Sequence, residues 1–199
     1  MRDIVHKTTT AAKSIMFLLL NFMEYLLTPE IQELSDGDVK IIPYSNKYLS
    51  SVIDLWRTAG FFSNTYKFLL RLFGNRLCFV LVNRNNEFLG FICFYFSFED
   101  LKSRRIHDAI SSINSDLKGR GYGGFLSKSA FDSFKRSKWI RGISVRYTVS
   151  NEATKRILLR YGFKVIDRYF DKVEGEEREY AVYDFYPLNR LCYRRRNSS

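Results

Sequence analysis

The stretch "DLKGRGYGGFLSKSAF" (residues 116–131) crowds four glycines into the six positions 119–124, in a chain that has only 11. Glycine at that density marks a backbone that bends sharply, or one that something must approach closely. The residues from Phe125 onward read as a helix. The loop therefore sits where unpaired amides and a positive helix end favour an anion such as phosphate. An ordinary glycine-rich turn before a helix would use the same letters, and the stretch alone leaves both readings open.

The flanking segments carry alternating signals. Upstream, "VKIIPY" (39–44) reads as a strand ended by proline, and "KYLSSVIDLWRTAG" (47–60) as a helix with Leu49, Val52, Ile53 and Trp56 at helical spacing. "TYKFLLRLFGN" (65–75) repeats the helical pattern, with Gly74 as its expected cap. "LCFVLVN" and "FLGFICFYF" are two apolar strands joined by the polar "RNNE", a hairpin signal. "HDAISSI" (107–113) is a further strand that feeds the glycine loop. Downstream, helix (125–138), strand (141–149), helix (151–162) and two closing strands (164–170, 178–186) follow. The order predicts a mixed α+β domain over 39–188, a helical extension over 1–38 and a basic tail over 189–199.

A strand, a glycine loop and a helix also describe two common nucleotide sites, and both fail here. No G-K-[ST] closes the loop, and the spacing is G-x-G-x-G-G where the dinucleotide fingerprint needs G-x-G-x-x-G. The loop also lies late in the chain, after an antiparallel hairpin.

The loop resembles the acyl-CoA pyrophosphate loop of the GCN5-related N-acetyltransferase (GNAT) family, R/Q-x-x-G-x-G/A. Here it runs Lys118-Gly119-Arg120-Gly121-Tyr122-Gly123, followed by Gly124, with lysine in the arginine or glutamine slot. A second segment, "NEATKRILLRYGF", sets Asn151 eleven residues before Gly162-Phe163, as the family does at its fifth strand and following helix. The resemblance spans about residues 39–188. It implies the GNAT fold, a mixed and mostly antiparallel sheet flanked by helices, here with an extra N-terminal helix. It also implies direct transfer of an acetyl group from acetyl-CoA to a primary amine in a ternary complex, with a small molecule, an amino sugar and a protein all open as the acceptor.

By the same resemblance, Lys118, Gly119, Arg120, Gly121, Tyr122, Gly123 and Gly124 are expected to hold the cofactor pyrophosphate. Backbone groups at Ser111 and Ile113 are expected to bind the pantetheine arm between two splayed strands, with Asn151 contacting it as well. His107 takes the place where many members carry a catalytic carboxylate, and it titrates near neutral pH. Glu99 and Asp100 are the next candidates. The family's usual acid, a tyrosine seven residues after the asparagine, is Leu158 here. Tyr161, one turn on, is the substitute candidate. The bland readings are a strand histidine, a solvated Lys118/Arg120 pair, a helix-capping asparagine and a packing tyrosine.

Composition narrows the alternatives. At 199 residues, 46% hydrophobic and 17% aromatic, the chain supports one well-cored domain. Cys78, Cys93 and Cys192 are few and scattered. They give no disulfide framework or metal motif, and a cytoplasmic setting without a metal is expected. The net charge of +11 reads either as a solvated surface or as an anion-seeking one. It motivates acetylation of charged tRNA as an alternative, with basic stretches at 102–105 and 190–196. A non-catalytic CoA-binding module is the third reading, motivated by Leu158.

The apolar run "SIMFLLLNFMEYLL" is 14 residues long and contains Asn21 and Glu24, too short and too polar for a membrane span. It reads as an amphipathic helix. Asn21, Glu24 and Thr28 lie on one side, and Ile15, Leu18, Leu19, Phe22 and Leu26 on the other. That apolar side is expected to pack on the domain or on a second subunit, so a homodimer is a further possibility.

Overall fold

The computed structural model describes residues 2–60, 62–172 and 174–186, with side chains from Ala11 onward. The tail 189–199 and Cys192 lie outside the described residues. Helix α1 (Arg2–Tyr25) leads into a short strand β1 (Leu34–Asp36) and then β2 (Val39–Pro43). Helices α2 (Leu49–Ala59) and α3 (Asn64–Leu77) precede the hairpin β3 (Cys78–Asn83) and β4 (Phe88–Tyr95). A one-turn helix α4 (Phe98–Leu101), strand β5 (Arg105–Ile113) and helix α5 (Tyr122–Lys135) follow. Strand β6 (Gly142–Thr148), helix α6 (Glu152–Tyr161), and strands β7 (Lys164–Asp171) and β8 (Glu176–Asp184) complete the order.

The eight strands form one sheet in the order β1-β2-β3-β4-β5-β6-β8-β7. All pairs are antiparallel except β5 with β6. The α+β expectation and the mostly antiparallel sheet hold. The pattern missed β1 and α4, whose three and four residues are too few to show a period.

Both faces of the sheet are covered. On one, Trp56 of α2 stacks on Tyr66 of α3 and lies against Phe91 of β4. On the other, Phe131 and Phe134 of α5 pack on Phe94, and Phe134 also meets Phe79. Gly74 does not cap α3, which runs on to Leu77. A Cβ on Gly74 would stand 2.5 Å from the Tyr44 ring, so glycine serves close packing there.

Of the two expectations for the apolar side of α1, packing on the domain does not hold. Asn21, Glu24 and Thr28 are buried, whereas Ile15, Leu19, Phe22 and Leu26 are 49–63% exposed and Leu18 is half-buried. Asn21 explains the inversion. Its Oδ1 accepts from the Phe96 amide at 2.7 Å, and its Nδ2 donates to the Phe96 carbonyl at 3.1 Å. Strand β4 ends at Tyr95, so the backbone of Phe96 has left the ladder and needs these partners. Two edge-type ring contacts, Phe17 against Tyr66 and Tyr95, and two tilted pairs, Phe22 and Tyr25 against Phe73, also hold α1.

Candidate active site

The parallel register of β5 with β6 begins at Arg105↔Gly142 and ends at Asp108↔Val145. Beyond that rung β5 continues to Ile113 and β6 to Thr148, each without the other. The two strands form a fork. On its far side β5 stays paired with β4, through a bulge between Cys93 and Phe94 that leaves Ala109 out of the ladder. The extra residue swings the end of β5 away from β6. A cleft of about 750 Å³ fills the fork, and His107, Asp108, Ser111, Tyr147 and Asn151 are among its lining residues.

His107 is the most organised side chain in the cleft. Its Nδ1 lies 2.8 Å from Ser144 Oγ and 3.5 Å from Asp100 Oδ2. Asp100, 1% exposed at the one-turn helix α4, is itself held on both oxygens. Ser97 Oγ donates to Oδ2 at 2.6 Å, and the Tyr180 hydroxyl donates to Oδ1 at 2.5 Å. Burial opposes the Asp100 charge, but hydrogen bonds from His107, Ser97 and Tyr180 outweigh it and hold the carboxyl well below the usual range. Burial pushes the His107 imidazole below its ordinary value, against the upward pull of Asp100. At neutral pH the ring is therefore neutral. A carboxylate beside Nδ1 favours the tautomer with its proton there, which leaves Nε2 as the basic nitrogen.

Asp108, the last paired residue before the fork opens, is the group sequence reasoning missed. It is 7% exposed, and burial alone pushes its carboxyl up to about 7. Register sets it opposite Phe94, whereas His107 is opposite Tyr95, so the two project to opposite faces of β5. Both line the cleft because the cleft is a gap within the sheet. No local motif marks Asp108, which reads in sequence as a polar residue in a strand. Ser144 and Tyr180 were missed for a related reason, since their positions beside His107 and Asp100 depend on sheet pairings far apart in sequence.

The glycine loop opens α5. Gly119 and Gly121 have φ of +81° and +85°, and Gly121 is the N-cap. That left-handed cap is why the helix starts at Tyr122, inside the glycine cluster. A Cβ at Gly119, Gly121 or Gly124 would meet nothing within 4 Å, and one at Gly123 would touch only Ile157 Cδ1 at 3.7 Å. The side-chain positions around the first turn of α5 thus hold open space. Lys118 and Arg120 are exposed beside them, Tyr122 is half-buried as the first helical residue, and Ile113 ends β5 at the fork's outer limb.

The remaining candidates separate. Asn151 lines the cleft and also caps α6, accepting from the Thr154 amide at 3.1 Å. Tyr161 lies elsewhere. It lines a hollow between α5 and α6 with Gly121 and Gly124, donates to the Gly124 carbonyl at 3.3 Å and packs on Phe131. Leu158 is 3% exposed in the core. Glu99 is exposed and paired with Arg146. Among the described residues no cluster of His, Cys, Asp or Glu is arranged to hold a metal ion, and no helix is long and apolar enough to cross a membrane.

No protein-family model and no curated protein sequence matches the chain. Solved structures do. The Arabidopsis thaliana NAA60 in complex with acetyl-CoA superposes with a TM-score of 0.65 at 14% identity, over 73% of this chain and 99% of that one. The ribosomal-protein-S18-alanine N-acetyltransferase of Escherichia coli gives 0.60 at 15% identity, over 73% and 93%. The ribosomal-protein-S5-alanine acetyltransferase of Vibrio fischeri gives 0.63 at 14% identity, over 77% and 96%. At such identities the likeness is one of fold, and the fold is the GNAT acyltransferase fold.

Proposed function

We propose that the protein is an acetyl-CoA-dependent N-acetyltransferase that transfers directly to a primary amine, with protein N-termini as the acceptor class. The observation that carries this reading is the fork at Asp108↔Val145, with a positioned His107 at its base and β5 leading on to a helix that opens on the glycine loop. The unpaired edge of β5 at Ser111 and Ile113 offers backbone partners to the amides of a pantetheine arm. The glycine loop offers unobstructed N–H groups to a pyrophosphate, with Lys118 and Arg120 compensating charge. The names of the solved neighbours, two of them alanine acetyltransferases of ribosomal proteins, support the acceptor class.

The chain's own residues divide the proton work. His107 Nε2 takes a proton from the attacking amine as its nitrogen bonds to the thioester carbonyl carbon. The carbon–sulfur bond then breaks, and neutral Asp108 gives its proton to the departing thiolate. Solvent returns the proton to Asp108 and removes the one on His107, so amide and free thiol are the products. Asp108 takes the part that a tyrosine in place of Leu158 would have played. On the acceptor side, the aromatic rings of Trp56, Tyr66 and Tyr95 wall the cleft. Asp167 and Glu174 line it too, beside the pairs Glu99–Arg146 and Asp171–Arg178, so carboxylates outnumber bases there, which suits a cationic amine better than the phosphates of a tRNA.

The test is release of free thiol from acetyl-CoA with a panel of peptides differing at the N-terminal residue. Release should depend on a free α-amine and fall about 10²–10⁴-fold in His107→Ala. CoA binding without release would select the non-catalytic module. Release only with aminoacyl-tRNA would select the nucleic-acid reading.

A further inference from the structure

The inverted helix α1 leaves an apolar surface uncovered. Its solvent-facing stripe runs Ala12, Ile15, Leu19, Phe22 and Leu26, with steps of three, four, three and four residues. That alternation is the heptad seam of two packed helices. Met16 and Met23, one heptad apart, flank it and are 54% and 64% exposed. Helix α3 lies alongside in the same direction, since Ser14 meets Thr65 and Tyr25 meets Asn75. It adds Phe68 and Leu72, 53% and 57% exposed.

We infer that this face is the contact of a homodimer, in which the α1 helices of two copies pack antiparallel about a two-fold axis near Leu19 and Phe22. Three observations favour a second copy. The first is extent. At about 100 Å² for each large side chain half out of water, the face offers on the order of 800 Å². That exceeds the roughly 300–600 Å² of the largest patch on a typical monomer and matches the roughly 800 Å² that each partner of a stable pair buries. The second is the seam itself, because a three-four spacing held over two heptads lets the same helix of a second copy pack knobs into holes along it.

The third is charge. The stripe carries no charged side chain, so a two-fold brings no like charges together along its length. Lys13 stands at its start, and exposed Glu33 and Glu30, the latter paired with Arg76, lie past its end. An antiparallel crossing sets the base of one copy towards the acids of the other, and a parallel one would not. A bilayer is a poorer occupant. Surface helices bind lipid with bases along their polar face, whereas here the polar residues Asn21, Glu24 and Thr28 of α1 face the protein, and the bases beside the apolar face are few, Lys13 on α1 with Lys67 and Arg71 on α3.

The experiment is sedimentation of the full chain at micromolar concentration, beside Leu19→Glu and Met23→Glu. Both positions are more than half exposed, so the variants should fold, which circular dichroism and cooperative melting check. The parent should sediment at twice the 23.5 kDa chain mass, and each folded variant at the mass of one chain. A parental monomer would overturn the proposal, and flotation of that monomer on phosphatidylserine-containing vesicles would assign the face to a membrane. A dimer that survives in a folded variant would also overturn it.

Discussion

Asp100 touches no substrate in this account; it acts through His107, and its removal separates positioning from chemistry. The carboxylate raises the histidine pKa against burial, so Asp100→Asn should move the acidic limb of kcat/KM to lower pH. The rate on the plateau should fall as well, because no carboxylate then favours the tautomer with a free Nε2. An unchanged limb would detach Asp100 from the base. Asp108 makes the opposite prediction. An acid must be protonated to act, so parental kcat should decline above about pH 7, and Asp108→Asn should lose both that limb and much of the rate. Stability gives an independent check of the same group. Its folded pKa lies above the ordinary 3.8, so between about 4 and 7 the folded chain keeps a proton that the unfolded chain has released. Parental stability should therefore fall across that window, by up to about 1.4 kcal/mol per pH unit from this group. Asp108→Asn should abolish that decline, as denaturant titrations at pH 5 and pH 8 would show.

At the scale of elements, the glycine loop and the end of α1 are the two places where backbone groups outweigh side chains. Gly123 has an ordinary φ and room for a Cβ, so Gly123→Ala should bind CoA within about threefold of the parent, under roughly 0.7 kcal/mol. Gly123→Asp puts a carboxylate at the same helix end and should bind at least tenfold more weakly, about 1.4 kcal/mol or more. Calorimetric titration with CoA distinguishes the two, and equal affinities would remove the pyrophosphate from this loop. Asn21→Ala leaves the amide of Phe96 without a partner in the core and should cost about 1–3 kcal/mol in denaturant unfolding. The same two elements show what a sequence can disclose. The loop and the Asn151–Gly162 spacing were legible because local backbone geometry demands particular residues at fixed offsets. The facing of α1 was not legible. Its hydrophobic stripe is genuine, but two hydrogen bonds 75 residues away in sequence decide which side turns inward.

Across the whole molecule, the element order from β2 to β8 and the single parallel pair made the GNAT fold readable, since each strand and helix of ordinary length carries its own period. The lining of the cleft was only half readable. His107 was placed there by its distance from the loop that follows it, whereas Asp108 gains its character from the point where two strands part, which no local pattern encodes. Tyr161, chosen for its distance along α6, lies in another hollow, where its hydroxyl donates to the Gly124 carbonyl and its ring packs on Phe131 of α5. The account as a whole stands on transfer at that fork. Its most direct test is a thiol-release assay with acetyl-CoA and N-terminal peptides, run on the parent and on His107→Ala. The account predicts peptide-dependent release of one thiol per acetylated α-amine, lowered about 10²–10⁴-fold by the substitution. Release no faster than the uncatalysed rate with every amine tested, from a protein that binds acetyl-CoA, would contradict it.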